Sequence, residues 1–170
     1  MSIDLDISID RLRNSGMAIE RLVTGLSESE FRWKPDPNRW SALEVMGHLC
    51  DEERLDFRQR LDFVLHREGE TWPPIDPQGW VVQNSYNARD PHEAVARFRR
   101  ERDESLAWLR HLENPAWDQV YAHPTAGDLS AADLLASWIV HDLLHIRQIV
   151  TLLHDMIGRA GRRTDYAGSW

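Results

Sequence analysis

A chain of 170 residues has the length of one domain and can close a hydrophobic core without disulfide or metal staples. Its composition, 42% hydrophobic and 28% charged, is that of an ordinary soluble protein, and no apolar run approaches the roughly 20 residues that span a bilayer. A formal net charge of −8 argues against nucleic acid as a partner, and a single cysteine, Cys50, excludes an intramolecular disulfide.

Residues 1–10 carry three aspartates and no basic group, so they lack the features of a signal peptide, and a cytoplasmic location is expected. Helical periodicity then begins at about residue 7 and runs to 24, with Leu12, Ile19, Leu22 and Leu26 on one side and Gly25 placed to end it. The second helix spans 41–66, after Lys34-Pro35-Asp36-Pro37 and Asn38. Ser41 and Glu44 have capping-box spacing, and Cys50, Phe57, Leu61 and Val64 form the apolar stripe.

Residues 67–89 are rich in Pro, Gly and Asn and make a long connection expected to lie along the bundle. The third helix, 91–112, starts with Asp90 as cap, Pro91 in the first turn and Glu93 behind it. Within it Arg97, Arg99, Arg100 and Arg102 alternate with Glu101, Asp103 and Glu104, which reads as a solvated face. A second connection holds Asn114-Pro115, His123-Pro124 and Gly127, and Ser130 caps the fourth helix, 130–157. The tail, 158–170, is polar and ends in Tyr166 and Trp170. It is expected to fold back or to move.

No strand-like alternation and no internal repeat is visible. The expected fold is all-α: one domain over 1–170, a four-helix bundle with long crossover connections. Eight tryptophans exceed average usage, and they serve either to pack connections onto the core or to wall a pocket.

The chemistry concentrates in Trp138-Ile139-Val140-His141-Asp142-Leu143-Leu144-His145-Ile146-Arg147-Gln148. Histidines four apart on a helix lie one above the other. On a helical wheel His141 and His145 share the side of Leu134, Trp138, Ile149 and Leu152, so they project from the core face. Two buried imidazoles need partners, which a metal ion or local carbonyls and carboxylates can supply.

A third ligand has to come from another helix, and His48 is the candidate. Gly47 beside it would allow a neighbouring backbone to approach. On the wheel, however, His48 lies about 160° from Cys50, so on spacing alone it is either a ligand or a surface histidine. Cys50 points away and reads as core. Three imidazoles with a fourth position open would make a catalytic rather than a structural site. Glu52 is a candidate base, Asp142 could orient a ligand ring, and Gln148 could bind substrate or close the inner polar layer.

The run Trp40-Ser41-Ala42-Leu43-Glu44, followed by Gly47-His48-Leu49, Asp51, Glu52 and Glu53, then His141-Asp142-Leu143-Leu144-His145-Ile146-Arg147-Gln148, resembles the DinB/YfiT-like superfamily, most closely its DinB_2 branch. The resemblance implies a four-helix bundle, commonly a homodimer, in which His48, His141 and His145 bind zinc, nickel or a similar divalent ion. It also implies several chemistries. Transfer by a low-molecular-weight thiol cosubstrate leads, with metal-dependent amide or ester hydrolysis as the alternative. A non-enzymatic, stress-related bundle with a structural metal and a protein partner is the third.

Overall fold

The structure is a computed structural model that describes residues 3–123, 125, 127–161 and 164–168. Helix α1 is Leu5–Val23, capped by Asp4, whose carboxylate accepts from the Ile7 N–H. A one-turn helix, α2 (Glu28–Arg32), follows behind a Ser27 capping box. The second long helix has three parts: α3 (Ala42–Glu52), a π-helical turn (Glu53–Phe57) and α4 (Arg58–His66). Ser41 and Glu44 form the expected capping box at its start.

Helix α5 (Pro77–Gln83) and a 3₁₀ turn (Tyr86–Ala88) lie within the first long connection. Helix α6 is Pro91–Arg110, capped by Asp90, and α7 is Ala131–Gly158, with a capping box from Ser130 and Asp133. Between them β1 (Val120–His123) and β2 (Gly127–Ser130) pair antiparallel, Val120 opposite Ser130 and His123 opposite Gly127. This hairpin corrects the expectation of no strands. Four residues per strand give period-2 alternation too little length to register in sequence.

The four long segments form one bundle. Core residues Ile9 and Leu12 of α1 cluster with Leu134, Leu135 and Trp138, while Ile19 and Val23 cluster with Ile149 and Leu152, so α1 and α7 run parallel. Phe57 stacks on Trp138 at 5.7 Å while His48 meets His145, so the α3–α4 segment runs antiparallel to α7. Arg97 reaches Asp51 and Arg58 reaches Ser105, which makes α6 parallel to α3–α4. Consecutive parallel segments need a long connection, and residues 67–90 supply it between α4 and α6, whereas residues 111–130 join the antiparallel α6 and α7.

The first connection covers α3. Tyr86 donates to Asp51 at 2.6 Å, and its ring lies where a Cβ on residue 47 would come within 2.5 Å of Tyr86 Cγ. Gly47 therefore admits an aromatic side chain, not the neighbouring backbone expected. With α6, α7 and this connection around it, every residue of α3 is buried.

The arginine-rich stretch of α6 divides in two. Arg99 and Arg100 are exposed and paired to Glu20 and Glu93. Arg102, expected on a solvated face, is 4% exposed and is bound by all the neighbouring long segments. Its guanidinium donates to the Leu12 carbonyl in α1, to Glu53 in the π-turn, and to both Asp142 oxygens at 2.7 and 2.9 Å in α7. Two carboxylates and a carbonyl draw a cation into a core that would otherwise exclude it.

Tyr166 of the tail lies in a 3₁₀ turn (Asp165–Ala167) and is exposed. Trp170 lies outside the described residues. No described helix is long and apolar enough to cross a membrane.

Candidate metal centre

His48 on α3 and His141 and His145 on α7 converge. Their Nε2 atoms lie 3.3 Å (His48–His141), 3.1 Å (His48–His145) and 3.1 Å (His141–His145) apart. Leu134, Trp138, Ile149 and Leu152, which share the wheel sector of the α7 pair, are all buried. Among the described residues these three form the one group of histidine, cysteine or carboxylate side chains able to hold a metal ion.

The π-turn explains how His48 reaches α7 despite lying opposite the Cys50 stripe. In a continuous α-helix, nine residues turn about 900° and set Phe57 opposite His48. The extra residue of the π-turn removes about 100° of that rotation. Phe57 thus faces α7 too, its ring 5.0 Å from His141, while Cys50 stays on the side where Arg97 of α6 acts on it. The predicted stripe of Cys50, Phe57, Leu61 and Val64 is buried throughout, yet it is bent by one residue.

Protonation supports a ligand role. Burial, then the His145 and His141 rings, hold His48 down to about 2. Burial and the His145 ring take His141 to about 4, and burial lowers His145 as well. All three rings are neutral at pH 7. The His145 Nδ1–H donates to Gln148 Oε1 at 2.7 Å, which leaves its Nε2 as a lone pair facing the cluster.

Three Nε2 atoms within 3.3 Å of one another can all present lone pairs only with a cation among them. An ion bound tetrahedrally at about 2.0–2.1 Å from each nitrogen keeps its ligand atoms about 3.3 Å apart. The residues present fit a transition metal.

Aromatic side chains hold the rings. Trp40 lies 4.8 Å from His48 and nearly parallel to His145, at 6.4 Å and 2°. Among the tryptophans both expected uses occur. Trp40 walls the site, whereas Trp72 packs a connection, stacking on Tyr121 at 3.9 Å beneath Arg60.

Glu52 lies one turn beyond His48. Its Oε1 is 3.9 Å from His48 Nδ1, too far for a hydrogen bond, and both atoms are buried with no protein partner among the described residues. Burial, then the neighbouring Asp56 carboxyl, push Glu52 up to about 9, so it holds a proton at pH 7. Asp142 is fully buried and turned away from the cluster, its oxygens accepting from Arg102 and Ser15. It reaches His141 and His145 as a charge, which works against the lowering by burial. Sequence reasoning missed Arg102, Glu53 and Phe57 as supports of the site.

A cavity of about 540 Å³ opens from the cluster, lined by Asn38, Arg39, Trp40, Pro77, Gln78 and Gln148 besides the three histidines and Glu52. The first long connection thus supplies part of the rim through α5.

An open-sided cluster of three histidines able to hold a metal ion, inside a bundle with parallel neighbouring helices, defines the class: four-helix bundles with a candidate metal centre. The DinB superfamily matches residues 11–149, and the chain belongs to it. A protein of Oceanobacillus iheyensis, OB0413, whose name proposes a metal-dependent hydrolase, is 26% identical over 80% of this chain and 78% of its own.

Among solved structures, YfiT of Bacillus subtilis superposes with a TM-score of 0.79 at 22% identity, covering 91% of this chain and 90% of its own. It is described as a four-helix bundle of unusual topology and proposed as a metal-dependent hydrolase. A mycothiol-dependent maleylpyruvate isomerase, solved as a histidine-to-alanine mutant, follows with a TM-score of 0.70 at 12% identity. The match covers 86% of this chain but 61% of that one. These likenesses establish the fold.

Proposed function

We propose that the protein is a metal-dependent enzyme in which His48, His141 and His145 hold one divalent transition metal, zinc or nickel, and that it transfers a low-molecular-weight thiol to an electrophilic small molecule. The observation that carries the reading is the convergence of three neutral Nε2 atoms at the floor of an open cavity. Three protein ligands with a free fourth position make a catalytic site; structural sites close with four. Bound there, the ion supplies a Lewis acid that lowers the pKa of a coordinated thiol and so generates a nucleophile at neutral pH.

The chain's own residues do the rest. Gln148 sets the His145 tautomer, Trp40 and Phe57 hold the rings, and the cavity admits the second substrate. Thiol transfer is preferred because it needs no protein base once the thiol is ionised. The cavity's one carboxyl group among the described residues, Glu52, is buried, and in the metal-free protein that burial raises its pKa.

The second reading is metal-dependent hydrolysis, as the name of OB0413 proposes for that protein. There water replaces the thiol, and Glu52 must lose its proton to serve as base. A homodimer working in the cytoplasm completes the proposal on family resemblance.

The test is incubation of zinc- and nickel-loaded protein with glutathione, cysteine or 2-mercaptoethanol and monobromobimane, beside a panel of activated esters and anilides. Metal-dependent thioether formation that His141→Ala abolishes is the expected result. Ester or anilide turnover that Glu52→Gln abolishes, without thioether formation, selects hydrolysis instead.

A further inference from the structure

The rim of the cavity carries a charge that neither reading uses. Arg39 lines it, 42% exposed at its side chain, and among the described residues only its Nη1 is engaged, 3.0 Å from Asp155 Oδ2. Nε and Nη2 remain as two parallel donors, the fork that matches a carboxylate.

The electrostatics of the loaded site act in the same sense. Three neutral imidazoles leave a divalent ion's charge uncompensated, so the cavity as a whole favours an anion. The other ionisable group in the lining, Glu52, lies against His48 at the opposite end from the Asp155 pair.

Asp155 follows His145 by ten residues on the same helix, about 15 Å along its axis. Side chains at both positions lean toward the helix N-terminus alike, so the span stays at about 15 Å. A metal–sulfur bond of about 2.3 Å and a charge-assisted hydrogen bond of about 2.8 Å leave roughly 10 Å between a ligand's sulfur and its carboxylate.

We propose that the cavity takes an extended thiol that also bears a carboxylate, its sulfur end at the histidine cluster and its carboxylate on Arg39 about 10 Å away. The inference rests on the metal-centre reading above and adds what selects the thiol. Arg39 is a specificity-determining residue that keeps Asp155 on Nη1 and offers Nε and Nη2 to the ligand, and Asn38 and Gln78 offer carboxamides in the same lining.

The experiment uses the full chain loaded with cobalt(II), whose visible bands report the cluster and whose sulfur-to-metal charge-transfer band reports thiol binding without any turnover. The probes are 3-mercaptopropionate, 6-mercaptohexanoate and 8-mercaptooctanoate, each beside its uncharged carboxamide. The expected result is a preference for acid over amide on the order of five-fold, present in the longer pairs, absent in the shortest and lost in Arg39→Met.

Equal binding of acid and amide at every length overturns the proposal, and so does a preference that survives in Arg39→Met. The wild-type comparison alone decides the matter if the variant does not fold. Absence of cobalt bands in wild type removes the metal reading and this inference together, whereas bands without an acid preference remove this inference alone.

Discussion

Gln148 Oε1 accepts the Nδ1–H of His145 at 2.7 Å, and this one bond decides which nitrogen of the ring faces the cluster. A histidine free to exchange tautomers would present an N–H to an incoming cation for part of the time. Gln148→Leu removes the acceptor and is expected to weaken zinc binding about 10- to 100-fold, while Gln148→Glu, which keeps it, retains wild-type affinity or better. Competition against a chromophoric chelator measures both, and a Gln148→Leu affinity within about two-fold of wild type would contradict the role.

Stability of the metal-free protein should peak near neutral pH. The histidines have folded pKa values held below their ordinary value of 6.5, His48 to about 2 and His141 to about 4. Below pH 6.5 the unfolded chain takes up protons that the folded chain refuses, so their contribution is complete above 6.5 and is lost as pH falls, toward 4 for His141 and toward 2 for His48. Glu52 works the other way. Its folded value of about 9 lies above its ordinary 4.5, so its contribution is complete below 4.5 and is lost as pH rises through 9. Each proton contributes about 1.4 kcal/mol per pH unit across its window. Urea unfolding at pH 5, 7 and 9 checks this, and Glu52→Gln should flatten the alkaline side and steepen the acid side, because the Glu52 window already opens at 4.5.

Arg102 ties α1, the π-turn and α7 to α6 from a position 4% exposed. Replacing it with methionine keeps much of the volume and leaves the Glu53 and Asp142 carboxylates without their cation. The expected cost is about 3–5 kcal/mol in urea unfolding. A loss below about 1 kcal/mol would mean that these carboxylates find other partners.

Gly47 gives a sharper packing test. A Cβ there would stand 2.5 Å from the Tyr86 ring, whose hydroxyl is fixed on Asp51. Gly47→Ala is expected to destabilise by about 1–3 kcal/mol through overpacking, despite alanine's better helix propensity. An unchanged or raised melting temperature would show that the connection carrying Tyr86 moves aside freely.

Much of the fold could be read in advance because its signals are local. Ser41 with Glu44, Asp90 with Pro91 and Ser130 with Asp133 mark three helix starts to within a residue, and apolar spacing gives the core faces. The α7 histidines were equally legible, since a four-residue spacing on a core face is a property of one helix.

What escaped depends on partners distant in sequence. The π-turn, which lets His48 and Phe57 share the α7 side, has no local signature; it leaves Glu53 to accept from Arg102 and from Trp138 Nε1. Arg102 carries the same local pattern as the exposed Arg99 and differs only in what surrounds it. The β1–β2 hairpin and the short helices α2 and α5 were missed because a turn or two of chain shows no usable period.

The central claim is that His48, His141 and His145 form a metal site, and elemental analysis of protein purified without chelator or affinity-tag metal tests it most directly. The predicted result is about one zinc or nickel ion per chain in wild type and a near-complete loss in His141→Ala, with the fold retained by circular dichroism. Wild-type protein that is empty as purified and takes up neither zinc nor nickel when offered them would contradict it.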